Sequence, residues 1–202
     1  MANPEDVLLE LMRGNARWVA GKLEHPNQTV ERRVETAKHQ DPVAVVFTCI
    51  DSRVPPEIVF DRGIGDLFVI RTGAQVLDQG IVLGSVEFGP NGYPSARLII
   101  VLGHTECGAV TAAYDHFRNG TEVPDYISAV VDALHPAYLE AEDKPGDPIL
   151  NMVRAQVQLT VDNLTDDPLL AGLIKDQGLQ IVGGVYHLLT GHVKRLDEPD
   201  LA

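Results

Sequence analysis

The hydrophobic positions change period several times along the chain. Over residues 5–20, Val7, Leu8, Leu11, Met12, Trp18 and Val19 recur at helical spacing, and Gly21 is a stop signal. Residues 22–28 are polar, contain Pro26 and read as a loop, and Thr29–His39 reads as a second, more polar helix. Val43–Phe47 then forms a continuous apolar run, the pattern of a strand buried on both faces of a parallel sheet. Pro55-Pro56 opens a short helix through Phe60, and Leu67–Arg71 is a second strand. Asp78–Phe88 reads as a helix despite Gly80 and Gly84, and Asn91-Gly92 marks a turn. Arg97–Leu102 is a third strand, ended by Gly103, and Glu106–Phe117 is the helix that follows. Tyr126–Leu139 and Ile149–Leu164 carry helical spacing, and Asp167-Pro168 starts a further helix. Leu179–Tyr186 is a fourth strand, interrupted by Gly183-Gly184. Thr190-Gly191 turns the chain into His192–Leu196, an antiparallel edge strand.

Strands alternating with helices predict an α/β fold. The expected core is a mostly parallel central sheet, four parallel strands plus an antiparallel edge strand, flanked by helices. The expected organisation is an N-terminal helical arm over 1–40 and a single α/β domain over 41–202. The arm would pack on the body or on a partner subunit, or be an ordinary surface helix.

Composition narrows the picture. With 45% hydrophobic and only 5% aromatic residues, the core is built from Val, Leu, Ile and Ala. The net charge of −13 argues against nucleic acid and against an anionic membrane surface. No apolar run approaches the roughly 20 residues that span a bilayer. The acidic start, Met1 to Asp6, lacks the charged region and apolar core of a secretory leader. The expectation is a cytoplasmic protein. In a reducing compartment two cysteines are more often metal ligands or core residues than a disulfide.

Those two cysteines sit in two stretches, Cys49-Ile50-Asp51-Ser52-Arg53 and His104-Thr105-Glu106-Cys107-Gly108, each directly after a predicted strand. In parallel sheets ligands gather beyond the C-terminal strand ends, which places the two stretches together. Alternation lets Cys49, Asp51 and Arg53 share a face. His104 and Cys107, three apart at an expected helix start, can meet one ion. Cys49, His104 and Cys107 make a Cys₂His set, three ligands with an open fourth position, as at catalytic zinc. Two thiolates neutralise Zn²⁺, so its water needs a neighbouring base. Asp51 can take that proton while Arg53 holds Asp51 ionised and aimed. Released by Arg53, Asp51 would swing onto the ion as a fourth ligand. The rival readings are a structural zinc with Asp51 as permanent ligand and a metal-free pair of buried cysteines.

At these residues the sequence resembles the β-class carbonic anhydrases. The resemblance runs through Cys-Ile-Asp-Ser-Arg-Val-Pro-Pro-Glu-Ile-Val-Phe-Asp from Cys49, Gly65 to Arg71, Gly84 to Glu87, Val101 to Val110, and Val182 to Gly191. It is dense from about Gln40 to Val110. The resemblance implies reversible hydration of CO₂ to bicarbonate and a proton by zinc-bound hydroxide, with one Zn²⁺ per subunit on Cys49, His104 and Cys107. It implies that Asp51 and Arg53 are the catalytic dyad and that Gln40 hydrogen-bonds substrate. Phe68 and Phe88 match positions lining the CO₂ pocket, with Val54 adding to that wall. It also implies a homodimer or dimer of dimers with active sites at the dimer interface. The alternatives are a relative hydrolysing CS₂ or COS on the same scaffold, and a zinc-dependent structural or sensing protein without turnover.

Two departures stand out. Many members read Arg-x-Ala-Gly-Asn where this chain reads Arg71-Thr72-Gly73-Ala74-Gln75, so the turn is expected to differ. One subgroup places a Trp three residues before the first cysteine in an inhibitory bicarbonate site. Here Val46 stands there, although Arg71 and Tyr186 remain, and the expectation is an enzyme open at neutral pH. The remaining histidines read as surface or satisfied core residues, with His39 or His116 as weak candidates for proton transfer. Gly63-x-Gly65 lacks the pattern of a phosphate loop, and Ser52 and Ser85 lack a triad.

Overall fold

A computed structural model describes residues 3–78 and 80–198. Met1, Ala2, Gln79 and residues 199–202, which fall within the ranges expected for the arm, the 78–88 helix and the domain, lie outside the described residues. The chain order is α1 (Pro4–Val19), α2 (Val30–Glu35), β1 (Ala44–Cys49), α3 (Pro56–Val59), β2 (Leu67–Thr72), a 3₁₀ turn (Gly73–Gln75), α4 (Ile81–Gly92) and β3 (Leu98–His104). It continues with α5 (Gly108–Asn119), α6 (Ile127–Ala133), α7 (His135–Ala141), α8 (Pro148–Asp166), α9 (Pro168–Gln177), β4 (Gln180–Tyr186) and β5 (Val193–Arg195).

The five strands form one sheet in the order β2-β1-β3-β4-β5. The first four are mutually parallel and β5 runs antiparallel to β4, as the sequence pattern predicts. Every residue of β1 and β3 is buried, because helices cover both faces at the centre of the sheet. The outer strand β2 is half-buried throughout.

Several expected boundaries move, each for a local reason. Gly103 does not end β3, which runs on to His104. A Cβ on Gly103 would lie 2.6 Å from Val157 Cγ2, so the glycine lets α8 sit against the strand. Gly183 does the same one strand over, where a Cβ would meet Val157 Cγ1 at 2.8 Å, and β4 continues through it. Helix α4 begins at Ile81 rather than Asp78 and includes Asn91-Gly92 in its last turn. Helix α2 is shorter than its polar pattern suggests, and the 126–139 run breaks at Leu134 into α6 and α7.

Helix α1 belongs to the body of the chain. Val7, Leu8 and Leu11 are buried in a core cluster with Val46, Phe60, Leu98 and Tyr186. Asn15, 3% exposed, donates to the carbonyls of Val59 and Gly191 and accepts from the Val193 amide. Asp61 fixes the segment after α1. Its carboxylate receives Arg17 Nε at 2.6 Å and the amides of Glu24 and His25 at 3.0 Å. Burial opposes its ionisation, but these three donors outweigh it and hold the carboxyl below the usual carboxylate range.

This clamp predicts an outcome. Asp61→Asn should cost about 2–4 kcal/mol at neutral pH by urea unfolding, since it leaves Arg17 without its buried partner. The Asp61 pKa is depressed, so its contribution is complete above the unfolded value of about 3.9 and fades as pH falls below it. The gap between wild type and variant should therefore close on acidification.

Candidate metal centre

The centre lies beyond the C-terminal ends of β1 and β3. The register pairs Thr48 with Leu102, so Cys49 and His104 leave neighbouring strands at nearly the same level. Cys107 follows across a short turn. His104 is the last residue of β3 and Cys107 is the N-cap of α5, so the two are not on one helix as their spacing suggests. The turn between them needs a left-handed residue, supplied by Glu106 at φ 55°. The Thr105 amide donates to the Tyr186 carbonyl at 3.0 Å, and Thr105 Oγ1 accepts the Leu188 amide at 3.1 Å.

Both sulfurs and one His104 ring nitrogen lie within 4.8 Å of one another, and all three residues are buried. The Sγ–Sγ distance is 3.9 Å. Two Zn–S bonds of about 2.3 Å at a tetrahedral angle place the sulfurs about 3.8 Å apart. His104 Nδ1 lies 2.8 Å from the Thr105 carbonyl oxygen, which fixes Nδ1 as the donor and leaves Nε2 with a bare lone pair. That Nε2 is buried and finds no hydrogen-bond partner among the described residues. An orphaned imidazole lone pair beside two thiols is the arrangement a divalent cation satisfies. The residues present fit zinc.

The thiols titrate as a pair. The Cys107 thiol hydrogen-bonds Cys49 and lowers the Cys49 pKa to about 4 against the cost of burial, with the Ala74 amide, 3.3 Å from Cys49 Sγ, adding to the effect. Cys107 is pushed up in turn by its hydrogen bond to Cys49 and by burial.

Asp51 and Arg53 follow Cys49 in a tight turn, closed by the Val54 amide on the Asp51 carbonyl at 3.1 Å. Arg53 grips the Asp51 carboxylate twice, Nε to Oδ1 at 2.9 Å and Nη2 to Oδ2 at 2.7 Å, and its backbone amide also donates to Oδ1. These bonds lower the Asp51 pKa to about 2. Arg53 Nη2 also reaches the Glu106 carbonyl, tying the two stretches together. Asp51 Oδ2 stands 3.9 Å from His104 Nε2, next to the cluster but turned toward Arg53.

Sequence reasoning missed part of the support. Arg71, on β2, donates to the carbonyls of Cys49 and Asp51, the two residues that bracket Ile50. The Ile50 amide donates to the Thr72 carbonyl. Ala74 and Gln75 both adopt left-handed backbone, at φ 50° and 45°, and this turn aims the Ala74 amide at Cys49. These are the positions where many β-class members carry Gly-Asn, residues that tolerate this conformation. The exchange has a steric side: a Cβ on Gly73 would lie 2.9 Å from Val130 Cγ1, so this chain needs its glycine one residue earlier.

The four pocket residues fall elsewhere. Gln40 donates to Tyr93 Oη at 3.2 Å, and Tyr93 packs edge-on to Phe68 at 5.1 Å between ring centroids. Phe88 completes the cluster, 6.3 Å from each of the other two rings. Phe68 pairs with Val45, four residues below Cys49, so this cluster lies about 13 Å down the sheet from the metal ligands. Val54 is fully buried in the core cluster with Val59 and Phe60 and presents no surface to a pocket. Val46 and Tyr186 lie in the same cluster, and Tyr186 Oη receives the Trp18 indole N–H at 3.1 Å. His39 lines the open cavity beside Gln40, and His116 Nδ1 lies 2.7 Å from the Thr121 carbonyl oxygen.

Fold and centre together define an α/β domain with a Cys₂His cluster able to hold a metal ion at the carboxyl ends of parallel strands. The family model described as carbonic anhydrase matches residues 44–193, and the chain belongs to that family, in its β-class. A carbonic anhydrase of Mycolicibacterium smegmatis is 41% identical over 197 residues, covering 96% of this chain and 93% of its own length. Carbonic anhydrase 2 of Mycobacterium tuberculosis is 45% identical over 137 residues, 68% of this chain, and the match spans 65% of that relative's length. Among solved structures, the β-carbonic anhydrase CafA of Aspergillus fumigatus shares the fold at TM-score 0.74 and 24% identity, covering 96% of this chain and 93% of that one. A tetrameric β-carbonic anhydrase of Sordaria macrospora aligns at TM-score 0.73 and 19% identity, covering 97% of this chain and all of that one.

The strained turn predicts a gain. Ala74→Gly should raise unfolding stability by about 1 kcal/mol in urea, by relieving a left-handed alanine. Gly73→Ala should lower it through the contact with Val130.

Proposed function

We propose that this chain hydrates CO₂ reversibly to bicarbonate and a proton at a zinc ion held by Cys49, His104 and Cys107. The observation that carries this reading is the Cys₂His cluster with a carboxylate beside it that Arg53 holds off the cluster. Bound there, zinc supplies Lewis acidity toward a water at its fourth position. Asp51 is the proton acceptor beside that position. Its depressed pKa keeps it ionised at any pH near neutral, and the guanidinium of Arg53 keeps its oxygens aimed. The same grip favours an open fourth position. Arg71 supports this by pinning the backbone on both sides of Ile50.

The catalytic unit in this reading is a homodimer or a dimer of dimers. Gln40, Phe68 and Phe88 sit at the opposite end of the sheet from the metal ligands of their own chain. Strand β2 is a sheet edge of half-buried residues, and an apolar cleft lined by Phe68, Ile70, Ile81 and Phe88 opens beside it. A twofold axis across two β2 edges runs the strands antiparallel. The Phe68 end of one strand then lies beside the Thr72 end of the other, which supports a pocket built from Gln40 and the aromatic rings of one subunit over the metal of its partner. Apolar walls suit CO₂, which has no charge to grip.

Stopped-flow CO₂ hydration by the zinc-loaded protein tests the activity. Asp51→Asn should reduce turnover by about 10²–10⁴-fold with zinc content unchanged. A zinc-loaded wild type with no CO₂ turnover at neutral to alkaline pH would overturn the proposal, and CS₂ turnover in its place would assign the sulfur substrates. Subunit mixing tests the shared pocket. Gln40→Ala and Asp51→Asn homodimers should both be impaired, and their mixed dimers should recover one intact site. Recovery to about a quarter of wild-type activity is expected from an equal mixture, and no recovery would place Gln40 on its own chain's metal.

A further inference from the structure

We propose that Tyr93 is a positioning residue for the CO₂ pocket, holding the Gln40 side chain in place for substrate, a role that rests on the hydration reading above. Gln40 Nε2 donates to Tyr93 Oη at 3.2 Å. Both residues line one open cavity of about 490 Å³, so the bond stands where a small molecule can reach it. A glutamine amide nitrogen carries two hydrogens. Tyr93 takes one, and the other remains for an oxygen of CO₂ or bicarbonate. Without such a partner the half-buried Gln40 side chain would keep its rotamer freedom and lose it each time substrate bound.

The ring of Tyr93 is itself fixed. It meets Phe68 edge-on, with 5.1 Å between centroids and 66° between planes, and lies 6.3 Å from Phe88. The close approach of α4 to the sheet brings these rings together. A Cβ on Gly89 would lie 2.6 Å from Val45 Cγ2 and 3.0 Å from Phe68 Cδ2, so the glycine lets the helix lie against β1 and β2. The Tyr93 amide closes α4 on the Gly89 carbonyl at 2.9 Å, and the Tyr93 carbonyl accepts the Ala96 amide at 3.0 Å.

Arg97 holds the same backbone from beneath. It is 4% exposed, and among the described residues burial alone sets its pKa, below the ordinary guanidinium value, with no carboxylate to offset it. Its Nη1 donates to the carbonyls of Pro90 and Tyr93, and its Nη2 to Gln177 Oε1 at the end of α9. The carbonyls of a last helical turn lack partners within the helix and carry the negative end of its dipole, so those of α4 stand in for a counter-ion. A buried cation without a carboxylate is costly. Here it fixes the turn from which Tyr93 reaches Gln40. The line of contacts runs from Arg97 through Tyr93 to Gln40, and none of the three belongs to the metal cluster, so Tyr93 acts only through Gln40.

Tyr93→Phe removes the hydroxyl and keeps the ring, which separates the bond from the packing. In stopped-flow CO₂ hydration it should lower kcat/KM about three- to tenfold, the loss of one neutral hydrogen bond, with zinc content and oligomer mass unchanged. In a Gln40→Ala background the same substitution should change kcat/KM by less than about twofold, because the group it positions is gone. An equal loss in both backgrounds makes Tyr93 a structural residue and overturns the proposal, as does an unchanged kcat/KM in Tyr93→Phe. A crystal structure of the zinc-loaded wild type should keep the Gln40–Tyr93 bond. Gln40 turned away from Tyr93 there overturns the proposal, even where Tyr93→Phe fails to fold. A wild type that keeps the bond but has no CO₂ turnover overturns the hydration reading and this role with it, whereas turnover with additive losses overturns the role of Tyr93 alone.

Discussion

The register between β1 and β3 is the constraint on which the metal centre depends. The two strands run parallel and fully buried, with Thr48 level with Leu102. That alignment delivers Cys49 and His104 to the same end of the sheet, one residue apart in height. A slip of one residue in either strand would turn its ligand to the opposite face of the sheet. Slippage is opposed by apolar burial along both strands and by Thr48, whose hydroxyl donates to the Leu102 carbonyl at 2.7 Å. The glycines of β3 and β4 serve the same end. Without a side chain at Gly103 or Gly183, α8 can press against the sheet and hold its central strands level.

Around this alignment the chain arranges donors so that three potentially charged ligands can coexist before any ion arrives. The Thr105 carbonyl selects the His104 tautomer, the Ala74 amide supports the Cys49 sulfur, and Arg71 pins the backbone that carries Asp51. Each partner is a backbone group or binds one, so the outer layer is set by turn geometry rather than by side-chain choice. Two left-handed residues at 74 and 75 are the conformational cost of that layer. The strain is tolerated because the turn is packed beneath the metal ligands, with Ala74 and Gln75 both buried.

Much of this is legible in the sequence, for physical reasons. Continuous apolar runs such as Val43–Phe47 mark parallel strands, and ligands gather at their carboxyl ends, so the order of residues alone is enough to join Cys49, His104 and Cys107. The fine placement is not legible. His104 and Cys107 have helical spacing, yet a left-handed Glu106 and a cap position bring them together, and residue spacing does not encode that turn. Gly103 and Gly183 look like strand breakers in one dimension, because only the third dimension shows Val157 lying against them. Arg71 carries no local signal of its role, since both of its acceptors are carbonyl oxygens that every residue possesses. Val54 sits in a motif next to chemistry but turns inward, as the Asp51–Val54 turn requires.

The position of the aromatic cluster follows from the same sheet that positions the ligands. Gln40 precedes β1 and Phe68 is the second residue of β2, so both belong to the amino ends of parallel strands, while the cluster residues belong to the carboxyl ends. A single parallel sheet cannot bring its two ends together. In the proposed pocket, the polar chemistry at one end and the apolar aromatic wall at the other meet through a second copy turned end for end. An exposed outer strand is the element on which such a copy can align, because its free backbone groups and half-buried side chains run the full distance between the two ends. In the proposed dimer, the parallel topology that sets the ligand cluster at one end of the sheet is also what leaves the aromatic wall to the second subunit.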